Sequence, residues 1–484
     1  MQDSKILDLL QQLDSRTLTR FKEYTLSPYF NKHEATTKLC LYLLKYAPTF
    51  AQPEKLEKTR IYNKIFAGEA FDNKKFHRLT SQLLSLLHNF LIDDALQSKE
   101  NQRMVVLLEK LRHYKLEKHY RSIEKRYKQQ STKEHLNHQT YYESQYKFHK
   151  ELDYLFVEQG GRSYNENLQL ANDSLDNLFI LEKLKMACDM ASRNKVIQAH
   201  YQWSIMKGIE EHLQDKSKEF DPIIQIYHTI FRMLTKQAEA TETYYRMLLQ
   251  LLKKYAHQFT KDEILGTYGY ALNYAIGKIN QQGSTYLEET LEIYLYLVES
   301  EAIFVGGFLM PQEYKNIVTL AVRLEKYSWA EQFIEEYKKK LPLDVRNNVY
   351  KYNLASLQHS KKDYDQALQT LHNVDFINPT YYLGTKIIQL KIYYEKEEGE
   401  AFYALIDACH SYLRRSKQVA DYQKKSTSNL MKFSKKLFKI KETIEYTKRP
   451  IIQESIERLQ QEIENCHSVA NRDWLMANLK RLVY

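Results

Sequence analysis

Two stretches decide the fold: AEQFIEEYKKKLP at residues 330–342 and ALQTLHNVDFINP at residues 367–379. Each runs from an alanine to a proline twelve residues on, Ala330 to Pro342 and Ala367 to Pro379, and Ala401 follows Ala367 by 34 residues. A spacing that returns at this period marks one supersecondary unit copied along the chain. Each copy buries its apolar face only against its neighbours, so the copies must stack. Composition agrees. Gly (12) and Pro (8) in 484 residues are each about a third of average usage. Few breakers mean long helices joined by short connections, and they exclude doubly wound and all-β folds, which need many turn residues. Apolar content of 43% excludes general disorder. The length calls for several domains or one extended array.

The pattern resembles the tetratricopeptide repeat over about residues 313–413. That resemblance implies an all-α fold, an α-α superhelix of helix pairs closed by helical caps at both ends. It also implies a role for each residue of the unit. Ala355, behind Leu354, is the small residue of a first helix; Tyr364, Ala367 and Leu371 belong to the second, and Pro379 ends the unit. The preceding pair supplies Ala330, Ile334 and Pro342, with Val318 where a small residue is expected. The following pair offers Ala401, Leu405 and Ala408 without a closing proline.

Five pairs are expected at about 223–257, 262–299, 312–340, 345–373 and 380–413. Their starts are marked by Asp221-Pro222, by a capping box from Thr260 to Glu263, and by Met310-Pro311. Gly306-Gly307 makes the longest break. The expected domains are an N-terminal helical domain at 1–98, long basic and Tyr-rich helices at 99–215, the repeats at 216–415, and a C-terminal basic helix with a capping helix at 416–484.

In the N-terminal part, Asn31 to Glu34 reads as a capping box, and Asp72 as the cap of a Leu-rich helix whose wide apolar stripe marks a domain centre. Residues 101–159 read as long basic helix ended by Gly160-Gly161. The segment Leu26-Ser27-Pro28-Tyr29-Phe30-Asn31-Lys32 resembles the N-terminus of a group of uncharacterised bacterial helical proteins over roughly the first ninety residues, and implies no activity.

No phosphate-binding loop, GxGxxG, GxSxG or HExxH occurs. The best metal candidate is Glu134, His135, His138, Glu143 and His149, but Glu134 and His138 are four apart and no matching Glu-x-x-His partner stands elsewhere, whereas a di-iron bundle needs that element on two helices. The expectation is therefore no enzyme, no metal and no cofactor. The 39 tyrosines, often in doublets, read mainly as wedges between helices. Four scattered cysteines without a CxxC pair, the lack of a signal-peptide pattern at Met1 to Lys5, and no apolar run long enough to span a membrane point to the cytoplasm.

The leading functional expectation, implied by the resemblance, is a protein-protein interaction scaffold with its ligand in the groove lined by first helices. Counting from Ala355 places Tyr352, Ser356 and His359 there, with Lys315 and Thr319 from the pair before and Lys386 and Tyr393 from the pair after. These suit an acidic peptide or protein segment, although the family's full carboxylate clamp is not reproduced. The alternative rests on charge. The net +10 is concentrated in two blocks: thirteen Lys/Arg against six acids at 99–150, and twelve against three at 414–449. Lys424, Lys425, Lys432, Lys435, Lys436 and Lys439 would neutralise nucleic-acid phosphates while Tyr422, Phe433 and Phe438 stack on bases. The same lysines also suit an anionic membrane surface.

Overall fold

A computed structural model describes the chain except residues 2–3, 48, 98, 132–137, 198–199, 216–218, 237, 283–284, 373–378 and 483–484. Among the described residues the fold is all-α, 23 α-helices packed largely against their sequence neighbours, with one two-stranded hairpin. The helices form two compact units, Met1–Lys183 and Leu184–Tyr484.

The first unit carries α1 (Lys5–Leu10), α2 (Ser15–Leu26), α3 (Glu34–Leu44), α4 (Lys58–Ile65), α5 (Asn73–Gln97), α6 (Glu100–His113), α7 (Glu117–Ser131) and α8 (His138–Glu158). The Leu-rich helix α5 is central, as its stripe requires. Phe76, Leu79, Leu83, Leu87 and Phe90 are buried in one core with Phe21, Leu39, Leu43 and Ile61. Asp72 caps it through Oδ1, which accepts from the Lys74 and Lys75 amides at 2.8 and 3.1 Å. Asn31 does not cap α3. Its Nδ2 donates to the Thr25 carbonyl and to Thr37 Oγ1, and the helix begins at Glu34 after an uncapped His33. The basic stretch is not one long helix either, because it folds back between α6 and α7.

α9 (Glu166–Ile197) carries the division between the units. The second unit continues with α10 (Met206–Leu213), α11 (Pro222–Thr235), α12 (Ala238–Tyr255), α13 (Lys261–Gln282) and α14 (Leu287–Glu299). The hairpin follows, β1 (Phe304–Val305) pairing antiparallel with β2 (Phe308–Leu309) around Gly306 and Gly307, both at positive φ. Then come α15 (Pro311–Arg323), α16 (Tyr327–Tyr337), α17 (Arg346–Ser360), α18 (Tyr364–His372), α19 (Pro379–Glu395), α20 (Gly399–Arg415), α21 (Asp421–Thr443), α22 (Arg449–Glu464) and α23 (Arg472–Arg481). All five expected pairs are present, from α11/α12 to α19/α20. Pro222 and Pro311 open their helices, and the Thr260–Glu263 box is reciprocal: the Glu263 amide donates to Thr260 Oγ1 at 3.3 Å and the Thr260 amide to Glu263 Oε2 at 3.1 Å.

Three successive pairs share one connection. Glu325, Lys362 and Glu397 take φ of 58°, 66° and 58°. The next amide then reaches back five residues: Lys326 to the Ala321 carbonyl and Asp363 to Gln358, both at 2.9 Å, and Glu398 to Tyr393 at 3.0 Å. This is the Schellman arrangement, which supplies partners for carbonyls at a helix end. Lys115, at φ 56°, makes the same turn between α6 and α7, with the Leu116 amide 2.9 Å from the Leu111 carbonyl. Glycine usually takes the left-handed position, and here none of the four is glycine.

The turn fixes a register. Five residues past the left-handed one stand Tyr120, Ala330, Ala367 and Phe402; seven before it stand Leu108, Val318, Ala355 and Leu390. All eight are buried. Leu390 and Phe402 share one core, and Leu108 and Tyr120 another, so the two positions mark the seam of each pair. Ala355 and Ala367 make the one seam that is small on both sides. Ala401 is only half-buried and does not belong to this set. Phe402 holds its expected place, and the left-handed residues are separated by 37 and then 35 positions. Beyond the pairs, Leu430, Phe433, Leu437 and Phe438 of α21 join Ile452, Ile456, Leu459, Leu475 and Leu479 in a terminal core against α19 and α20.

Some of the tyrosines act as wedges. Tyr245, Tyr294 and Tyr314 are fully buried, and Tyr314 ties α15 to α16 by donating to the Ile334 carbonyl at 2.7 Å.

Two substitutions test the shared turn and its seam. Lys362→Gly relieves a left-handed lysine and should raise unfolding stability by about 1 kcal/mol. Ala367→Leu overfills the seam and should lower it by about 1–3 kcal/mol. Urea midpoints of the two variants moving in opposite directions are the expected result.

Candidate functional site

First helices α15, α17 and α19 pack side by side in this order. Lys315 of α15 is half-buried, and its ammonium lies 5.5 Å from the centre of the Tyr352 ring; burial holds its pKa below the usual lysine range. Thr319, one turn on, is exposed. Tyr352 is buried rather than open to a ligand. Its ring meets Tyr381 edge-on at 5.3 Å and lies so close to Gly384 that a Cβ there would stand 2.7 Å from it. Glycine at 384 is what admits the ring. Ser356 and His359 are half-buried, and the imidazole pKa falls to about 4 through burial and then the nearby charge of Lys391.

The α19 members need correction by one register position. Ten residues before the left-handed turn stand Lys315, Tyr352 and Ile387; six before it stand Thr319, Ser356 and Lys391. Lys386 lies one residue before Ile387, and Tyr393 one residue before Tyr394, which stands three before the turn as His359 does. Lys386 donates to Gln389 Oε1 at 2.9 Å and lies over Tyr382 of its own helix, while Tyr393 packs toward the terminal core. Lys391 is the residue that sequence reading missed. Its Nζ donates to Asn471 Oδ1 at 2.7 Å and stands 5.9 Å from the Trp474 ring, and burial lowers its pKa to about 8. Neither Lys315 nor Lys391 forms an ion pair with a carboxylate among the described residues.

The α21 lysines divide into two groups. Lys436 is bound to Glu462, and Lys424 lies 3.8 Å from Asp421. Lys425, Lys432, Lys435 and Lys439 are exposed. Phe433 and Phe438 are 3% and 1% exposed, so neither can stack on a base. Their helical spacing with Leu430 and Leu437 is core spacing. Tyr422, 70% exposed, is the aromatic left on this surface.

Of the metal candidates, Glu134 and His135 lie outside the described residues. His149 Nδ1 is 3.0 Å from Asn167 Oδ1. No described helix is long and apolar enough to cross a membrane. No protein-family model, curated protein or solved structure matches the chain.

The depressed value of His359 has a sign. Between about 4 and its ordinary 6.5 the folded state binds fewer protons than the unfolded, so this group lowers stability as pH falls through that window. His359→Gln should lose less stability than the parent on acidification from the upper to the lower limit. Parallel urea-stability profiles for the two proteins would contradict the assignment.

Proposed function

We propose that the protein is a non-enzymatic, tetratricopeptide-like scaffold that binds an acidic peptide or protein segment along the first-helix row of α15, α17 and α19. The binding set is Lys315, Thr319, Ser356, His359 and Lys391, with Tyr352 and Tyr381 as the packed floor beneath it. One observation carries the reading: two half-buried lysines lie on this row without a carboxylate partner among the described residues. Removing an ammonium from water is unfavourable unless it is paired. A ligand carboxylate would supply the partner and recover that cost. Four cysteines without a disulfide, three of them buried, fit a reducing cytoplasmic setting.

The test uses a fluorescently labelled Glu/Asp-rich peptide with a free C-terminus and the intact protein. Reversing both charges, Lys315→Glu with Lys391→Glu, should weaken binding tenfold or more, about 1.4 kcal/mol. Lys386→Glu, one position off the row, should weaken it less. Equal affinity for the parent and the double variant counts against the row.

A further inference from the structure

α21 presents a second charged surface. Lys425, Lys432, Lys435 and Lys439 are all exposed, at helical spacings of seven, three and four residues that keep them on one side of the helix. None forms an ion pair with a described residue. The acids at the margins are already engaged: Asp421 with Lys424 at 3.8 Å, Glu442 with the Tyr403 hydroxyl at 2.8 Å, and Glu462 with Lys436. Between Asp421 and Glu442 the helix has no acidic residue.

The first basic block behaves differently. On α7, Lys118, Arg121, Lys125 and Lys128 have a similar spacing, but Glu117 and Glu124 are interleaved with them, and Glu124 pairs with both Arg121 and Lys128 at 2.9 and 2.8 Å. Two of the four cations on that stripe are thereby paired on their own helix. None of the four on α21 is.

We propose that α21 is a docking rail for the phosphate backbone of a duplex nucleic acid, gripped without sequence readout by Lys425, Lys432, Lys435 and Lys439. The fourteen steps from first to last lysine rise about 21 Å, the axial length of about six phosphates on one strand. The apolar side of the helix is committed to the terminal core, with Leu430, Met431, Phe433, Leu437 and Phe438 all buried. It therefore offers no apolar face to insert into a membrane interface. Single strands are held largely by stacking on aromatic platforms, and Phe433 and Phe438 are withdrawn from that use. Backbone charge on a regular duplex is the partner these features fit.

The experiment measures retention of a labelled mixed-sequence DNA duplex by the intact protein across a salt series, beside a single strand of the same sequence and anionic phosphatidylserine vesicles. The rail predicts duplex binding at low salt with log affinity falling against log salt at about −0.9 per neutralised phosphate. Changing the four lysines to Gln should flatten that slope by about 3.6 and weaken binding at least tenfold, with an unchanged thermal melt showing that the fold is intact. Lys118, Arg121, Lys125 and Lys128 changed together to Gln should leave binding as it was. No duplex retention at low salt, capture of vesicles in preference to duplex, or equal loss in the α7 variant would each overturn the proposal.

Discussion

The left-handed turn at Glu325, Lys362 and Glu397 is the constraint on which the repeat region depends. A helix leaves its last carbonyls without partners, and in each of these pairs the chain satisfies one of them by a backbone bond that reverses direction at a fixed residue. Once that residue is fixed, the seam positions five after and seven before it follow, and so do the inward positions ten and six before it. A lysine or glutamate is a strained occupant of left-handed space, costing roughly 1–2 kcal/mol. The packing of the seam holds it there. Local conformation and tertiary burial are therefore one device: the turn sets which residues meet, and their meeting keeps the turn.

The same register separates structural from available side chains. Tyr352 and Lys391 both lie on first helices, but Tyr352 is packed onto Gly384 and Tyr381 whereas Lys391 ends on an amide oxygen and an indole face. Burial shifts both chemically. It raises the Tyr352 pKa to about 12 and lowers that of Lys391 to about 8, in each case favouring the neutral form. On α21 the division runs along a single helix: its apolar side completes the terminal core, and the opposite side keeps four lysines in water.

Much of the fold was legible because caps and stripes are local. The box at Thr260–Glu263, the cap at Asp72, the prolines at 222 and 311, and the stripe of α5 each depend on residues within a turn or two of one another. Asn31 misled because its Oδ1 accepts from the His33 amide, one residue short of the helix, while its Nδ2 turns to the Thr25 carbonyl and the Thr37 hydroxyl. The break at Lys115 carries no signal because lysine does not advertise a positive φ. The step from Ala367 to Ala401 matched a family period and was one residue short, and that slip carried over to Lys386 and Tyr393. Lys391 was illegible for another reason: its partner Asn471 is 80 residues away and itself at φ 50°. In the α21 site, the lysines were readable from charge alone, but the burial of Phe433 and Phe438 had to be seen to remove base stacking.

Amide hydrogen exchange at Lys326, Asp363 and Glu398 tests the shared turn most directly. These amides lie between helices, where loop amides ordinarily exchange quickly, yet each is bonded back to a carbonyl five residues earlier. Protection comparable to that of the flanking helices is the predicted result. Exchange at the rate of an open loop at any two of the three would contradict a turn that sets the register of the array.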